Sequence, residues 1–171
     1  GGRGGGGGTG RASIVMWGPG SGVKLANNEP LLPHFESSQI YSFVEQNRGP
    51  GVQHVAFHLP DIVGSVEQMR RRGMKFLDTP GTYYEMLPER MRRQGVTTFR
   101  EDVERLRELG ILVDGADDKY LLQIFSVEGK VLHADERGGP FFYEFIQRRG
   151  ARGFGEGNFR ALFESIEREQ E

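Results

Sequence analysis

The chain has 171 residues, 36% of them apolar and 11% aromatic, enough to bury the core of one ordinary domain or two small repeats and too apolar for a disordered segment. A net charge of −2 and the absence of cysteine exclude a nucleic-acid-coating surface, a disulfide framework, a thiolate zinc site and a cysteine nucleophile. No run of side chains approaches the roughly 20 apolar residues of a membrane span, so a cytoplasmic protein without nucleic-acid or membrane partners is expected.

Eight of the first ten residues are glycine, and residues 1–10 are expected to form a flexible Gly-rich tail. GGGGGTG satisfies a dinucleotide-binding pattern only trivially, because no strand precedes it and no helical pattern follows. Ser13 to Trp17 is β-prone and is stopped by the breaker cluster GPGSG, with VKLANNEP continuing as a second strand of a hairpin. The segment SSQIYSFVEQ carries capping serines and places Ile40, Phe43 and Val44 at helical spacing. GVQHVAFHL alternates as a strand, and Asp61 then caps a helix whose buried side is Ile62, Val63, Val66 and Met69 and whose stop is Gly73. MKFL reads as a short strand. A helix is expected around Met86 to Arg93 with Pro88 in its first turn, where the missing N–H is harmless. Val103, Leu106 and Leu109 form a helical face closed by Gly110. ILVDGADDKYLLQIFSV predicts a hairpin with a slightly long loop, Glu128 to Gly139 a polar loop, and PFFYEFIQR a strongly β-prone strand. Finally Phe159, Leu162, Phe163 and Ile166 fall at i, i+3, i+4, i+7 behind Asn158 as cap, a docking amphipathic helix. Together these elements predict an α+β domain with helices on one side of a mixed sheet.

Polar side chains inside such strands carry the functional signal. The period of two puts Glu144 on one face with Phe142 and Ile146, where an unpaired carboxylate costs several kcal/mol unless it is solvated, paired with an arginine, protonated or bound to a cation. His54 and His58 share a face of another strand, His58 toward its end and the surface. A histidine and a glutamate on separate strands are what a metal site on a rigid sheet needs, and imidazole with carboxylate suits Fe(II), Mn or Zn. Gln123 shares a face with Leu121 and Phe125, so its amide must find partners in the backbone or in a substrate. GARGFGEGNF sets two phenylalanines in a glycine-rich backbone, either a hinged aromatic lid or an anchor for the last helix.

The segments NNEP, SQIYSFVEQNRGPGVQHVAF, FLDTPGTYYEMLPER, LGILVDG, YLLQIFS, FFYEFIQRRGARGFGEGNF and ALFESIE resemble the C-terminal half of the 4-hydroxyphenylpyruvate dioxygenase family, from about Ser13 to the end. The resemblance implies the vicinal-oxygen-chelate fold, a β-α-β-β-β open barrel here incomplete at its N-terminal side, over residues 11–171 with a C-terminal helix. It implies a cofactor, Fe(II), held by two histidines and a glutamate, of which the second histidine is His54 and the glutamate Glu144. It implies a polar substrate network of Ser13, Asn28, Gln39 and Gln53, with Gln123 near the metal-bound ligand, and an aromatic sandwich of Phe125, Phe154 and Phe159; Asn158 is a pocket or capping residue. Strand alternation turns Gln53 away from His54 unless a bulge intervenes. The family's first metal histidine lies upstream of everything in this sequence, and His34 and His133 fall outside the motif, so the chain is expected to be a fragment with two of three ligands. Three facial ligands leave positions for a bidentate 2-oxo acid and O2. The implied reaction is oxidative decarboxylation and ring hydroxylation of 4-hydroxyphenylpyruvate to homogentisate in tyrosine breakdown, with homo-oligomerisation a further expectation. Hydroxymandelate synthase, which oxidises the benzylic carbon of the same substrate, and a non-catalytic metal-binding module are the alternatives.

Overall fold

The computed structural model describes residues 11–18, 20–30, 39–155, 157 and 158. The chain divides into two compact units, Gly1–Gln53 and His54–Glu171.

In the first unit, β1 (Arg11–Trp17) and β2 (Lys24–Pro30) form an antiparallel two-stranded sheet in which Ser13 is opposite Asn28. α1 (Gln39–Asn47) packs against β2 and buries Phe43. The chain leaves α1 through two residues of positive φ, Arg48 and Gly49, whose N–H groups bond back to Glu45 and Val44 and satisfy carbonyls left open by the helix end.

The second unit runs β3 (His54–His58), α2 (Ile62–Arg71), α3 (Gly81–Arg93), α4 (Val103–Leu109), β4 (Leu112–Ala116), β5 (Lys119–Phe125), α5 (Gly129–Leu132) and β6 (Phe142–Arg149). Its four strands form one mixed sheet in the order β3-β6-β5-β4, with β3 parallel to β6 and the other pairs antiparallel. The parallel pair requires a long crossover, which α2 to β5 supply. Ile62 and Val66 of α2, Tyr83, Tyr84, Leu87 and Met91 of α3 and Leu106 and Leu109 of α4 are buried in one cluster with Val113, Leu122 and Ile124 of the sheet. Each such side chain stabilises the fold by about 1.5–3 kcal/mol through the apolar area it removes from water. The expected α+β class, with helices packed on the sheet, is what the chain adopts.

Local signals placed the start of α2 and the end of α4. Asp61 accepts from Gly64 N as the cap of α2 and Gly110 ends α4 at φ 73°, both as expected; Asp102, which accepts from Glu104 N, is the cap that begins α4. Four expectations are corrected. MKFL contributes a single antiparallel bridge, Phe76 to Ser126, closed by Leu77 N to the Phe125 carbonyl and Val127 N to the Lys75 carbonyl, and no longer strand. α3 begins at Gly81, so Pro88 is its eighth residue and lies inside the helix rather than in the first turn. Four buried side chains on α3 outweigh the backbone bond that Pro88 cannot make. The β4–β5 loop is only two residues, Asp117 and Asp118, both at positive φ as a tight hairpin turn demands. The segment 128–139 holds α5 and one 3-10 turn, Glu136–Gly138. The expected glycine tail, His34 and the terminal helix with Phe159, Leu162, Phe163 and Ile166 lie outside the described residues. Among the described residues no helix is long and apolar enough to cross a membrane.

Candidate metal centre

Strand pairing brings the anomalous polar residues together. On the parallel pair, His54 is opposite Phe142 and Ala56 opposite Glu144; on the antiparallel pair, Phe125 is opposite Glu144 and Gln123 opposite Ile146. Paired side chains share a face, so His54, Glu144, Gln123 and Phe125 all lie on one side of the sheet. The other side carries Leu122 and Ile124 into the core with the helices, and Gln147, whose Oε1 accepts from Ile62 N at 2.9 Å.

His54 Nε2 and Glu144 Oε2 are 3.5 Å apart. The imidazole is stacked on Phe142, with centroids 5.0 Å apart and planes at 16°, and Phe125 meets Phe142 edge-on. Burial among these rings pushes the Glu144 carboxyl up to about 7, with Arg148 pulling weakly in the opposite direction. The same desolvation lowers His54, which therefore stays neutral at physiological pH. The pair is thus a neutral imidazole beside a carboxyl that is reluctant to ionise, not a salt bridge. His58, at the end of β3, is exposed.

Gln123 is fully buried. Its Nε2 donates to the Gly155 carbonyl at 3.4 Å, while its Oε1 has no hydrogen-bond partner. A buried amide oxygen left this way costs about 1–3 kcal/mol until a donor arrives. Phe154, next to Gly155, is partly exposed, and Phe125 is half-buried. Asn158 is buried, its Oδ1 accepting from the Tyr83 hydroxyl at 2.7 Å and its Nδ2 unpartnered. Arg148, on the face of Glu144, donates to the carbonyls of Ala151 and Gly153 and so anchors the start of the glycine-rich segment.

The remaining expected residues belong to the first unit. Ser13 Oγ donates to Asn28 Oδ1 at 2.5 Å across the β1–β2 hairpin. Gln39 is the exposed first residue of α1, and Gln53 is half-buried in the loop that precedes β3, so the question of a bulge inside that strand does not arise. Phe142 and Arg148 were not singled out from the sequence. Alternation already put both on the face of Glu144, and that was the available signal.

Among the described residues no group of three His, Cys, Asp or Glu side chains is placed to hold a metal. The two that meet do fit one. Ligand bonds of about 2.1 Å set neighbouring donor atoms roughly 3 Å apart at octahedral angles and about 3.4 Å at tetrahedral ones, and the 3.5 Å separation here needs only a small adjustment to meet that range. A cation would also neutralise a buried carboxylate that otherwise takes a proton.

No family model matches the chain. Among curated proteins it is 44% identical over 164 residues, 95% of its length, to a 4-hydroxyphenylpyruvate dioxygenase of Pseudomonas aeruginosa, and 44% identical over 164 residues to hemolysin VllY of Vibrio vulnificus. Among solved structures it is similar to a triple mutant of 4-hydroxymandelate synthase from Streptomyces coelicolor, with a TM-score of 0.68 and 41% identity over 94% of the chain. The chain spans 42% of the length of each of these three proteins. With this identity, and with the β-α-β-β-β module that sets His54 beside Glu144, the chain belongs to the 4-hydroxyphenylpyruvate dioxygenase family and has the vicinal-oxygen-chelate fold.

Proposed function

We propose that this chain carries part of the centre of an Fe(II)-dependent dioxygenase that converts 4-hydroxyphenylpyruvate and O2 to homogentisate and CO2. The observation that carries the reading is the His54–Glu144 pair, 3.5 Å apart on one sheet face, in a chain with 44% identity to a dioxygenase of that name. His54 and Glu144 are the residues that would hold the iron, through a neutral nitrogen and a carboxylate oxygen. When bound, ferrous iron supplies the redox chemistry that couples O2 reduction to oxidative decarboxylation of the 2-oxo acid.

The chain's own residues do the rest. Phe142, stacked on the imidazole, fixes the ring plane of His54. Gln123 presents an unpartnered Oε1 that accepts from a substrate hydroxyl, and Phe125 and Phe154 supply apolar walls that exclude water from the reacting ring. Phe159 and Asn158 are assigned to the same pocket, and Ser13, Asn28, Gln39 and Gln53 to substrate binding, on the resemblance alone.

Fe(II) titration of the metal-free chain tests the ligand pair. Wild type should bind, and Glu144→Gln or His54→Ala should weaken binding at least about tenfold; equal affinity in the variants overturns the assignment. Product analysis after incubation with Fe(II), 4-hydroxyphenylpyruvate and O2 tests the reaction. Homogentisate supports it. The structural likeness to a 4-hydroxymandelate synthase favours a second reading, and hydroxymandelate as product would select that one.

A further inference from the structure

β4 is an edge strand, paired only with β5, yet the outward N–H and carbonyl of its Val113 are satisfied. The hydroxyl of Tyr83, on α3, accepts from Val113 N at 2.8 Å, and Arg90 Nη2 donates both to that hydroxyl at 2.7 Å and to the Val113 carbonyl at 2.8 Å. The Arg90 guanidinium also lies over the Tyr83 ring, 4.6 Å from its centroid. The phenol has one proton and two acceptors within reach, Asn158 Oδ1 at 2.7 Å and the Val113 carbonyl at 3.0 Å. Because Arg90 already serves that carbonyl, the proton is directed to Asn158. Burial holds the phenol above its ordinary range even with the arginine adjacent, so the donor persists at neutral pH.

From Asn158 the connection continues onto the other face of the sheet. Asn158 N donates to the Gly155 carbonyl at 3.1 Å, and the same carbonyl accepts from Gln123 Nε2. Gly157 N is held by Asp114 Oδ2 at 2.9 Å. Gly155 is at φ +74°, and the space a Cβ would need there is filled by the Gln123 amide. Three hydrogen bonds in series therefore lead from α3, around the sheet edge, to Gln123.

We propose that Tyr83, directed by Arg90, is a positioning residue whose hydroxyl seats Asn158 at the edge of β4 and thereby fixes the 151–158 segment, with its Gly155 carbonyl, against Gln123. The inference deepens the dioxygenase reading and rests on it in one respect, that Gln123 faces the substrate. Neither Tyr83 nor Arg90 touches substrate or metal in this arrangement.

Hydrogen–deuterium exchange of the whole chain tests the seating without reference to activity. Tyr83→Phe removes the hydroxyl but keeps the buried ring, and should speed exchange across 151–158 about tenfold while β5 and β6 amides are unchanged. Unchanged exchange in the segment overturns the proposal. Should Tyr83→Phe loosen the core as well, Asn158→Leu and Asn158→Asp decide: Leu should expose the segment, and Asp, which keeps an acceptor for Tyr83, should restore protection. Equal exchange in the two overturns it. With Fe(II) loaded, Tyr83→Phe should also weaken calorimetric binding of 4-hydroxyphenylpyruvate about fivefold or more and leave Fe(II) affinity unaltered; an Fe(II) affinity that falls in step would make Tyr83 merely structural. Failure of the wild-type chain to bind 4-hydroxyphenylpyruvate counts against the dioxygenase reading, whereas an unresponsive segment counts against Tyr83, so the two failures are distinguishable.

Discussion

A carboxyl set between Phe125 and Phe142 must either bind a cation or keep a proton, and Glu144 is placed for both. Its pKa is raised from 4.5 to about 7 by burial. Between those values the folded chain holds a proton that the unfolded chain has released. The contribution is therefore complete below about 4.5 and is lost as pH rises through about 7, at most about 3 kcal/mol in the metal-free protein. Urea unfolding of the metal-free chain should show lower stability at pH 8 than at pH 5, and Glu144→Gln should flatten that difference. Gly155 gives a second expectation. An alanine there needs both a positive φ and the volume of the Gln123 amide, so Gly155→Ala should cost about 1–3 kcal/mol in the same assay and open the segment around Phe154 to protease. Glu144 and Gln123 were legible as anomalies because polar groups stand out in an apolar strand. Their partners were not, since a strand's period names a face and not the neighbour across it.

α3 shows how packing overrides local preference. Pro88 leaves the Tyr84 carbonyl without its helical donor, yet Tyr83, Tyr84, Leu87 and Met91 are all buried on the same helix. Pro88→Ala should restore the bond and stabilise the chain by about 1–2 kcal/mol, the helix gain exceeding the loss of proline's rigidity in the unfolded chain; an unchanged urea midpoint would show that the helix has adapted around it. Caps behaved differently. Asp61 and Gly110 were readable because a cap is decided within four residues by side-chain oxygens and by φ. The β1–β2 hairpin and α1 were readable for the same reason. MKFL was not, because pairing is decided by what lies opposite, and the segment makes one bridge, Phe76 to Ser126, through the backbone of Lys75 and Leu77.

The second unit is a sheet whose first and last strands are paired in parallel, so residues 90 positions apart along the chain, His54 and Glu144, become neighbours. An ion that binds only this folded arrangement stabilises it by mass action. Fe(II) at about 100 times its dissociation constant should add about 2.7 kcal/mol, seen as a rise in melting temperature that a chelator reverses and Glu144→Gln abolishes. Alternation, helical spacing and cap residues in the sequence alone determined the α+β class, most element positions and the polar residues out of place in strands, because each of these is settled over a few neighbouring residues. The strand order β3-β6-β5-β4, the meeting of His54 with Glu144 and the bond from Tyr83 to Asn158 were decided by the folded chain. They depend on which buried surfaces pack together across long separations, a property that no local period carries.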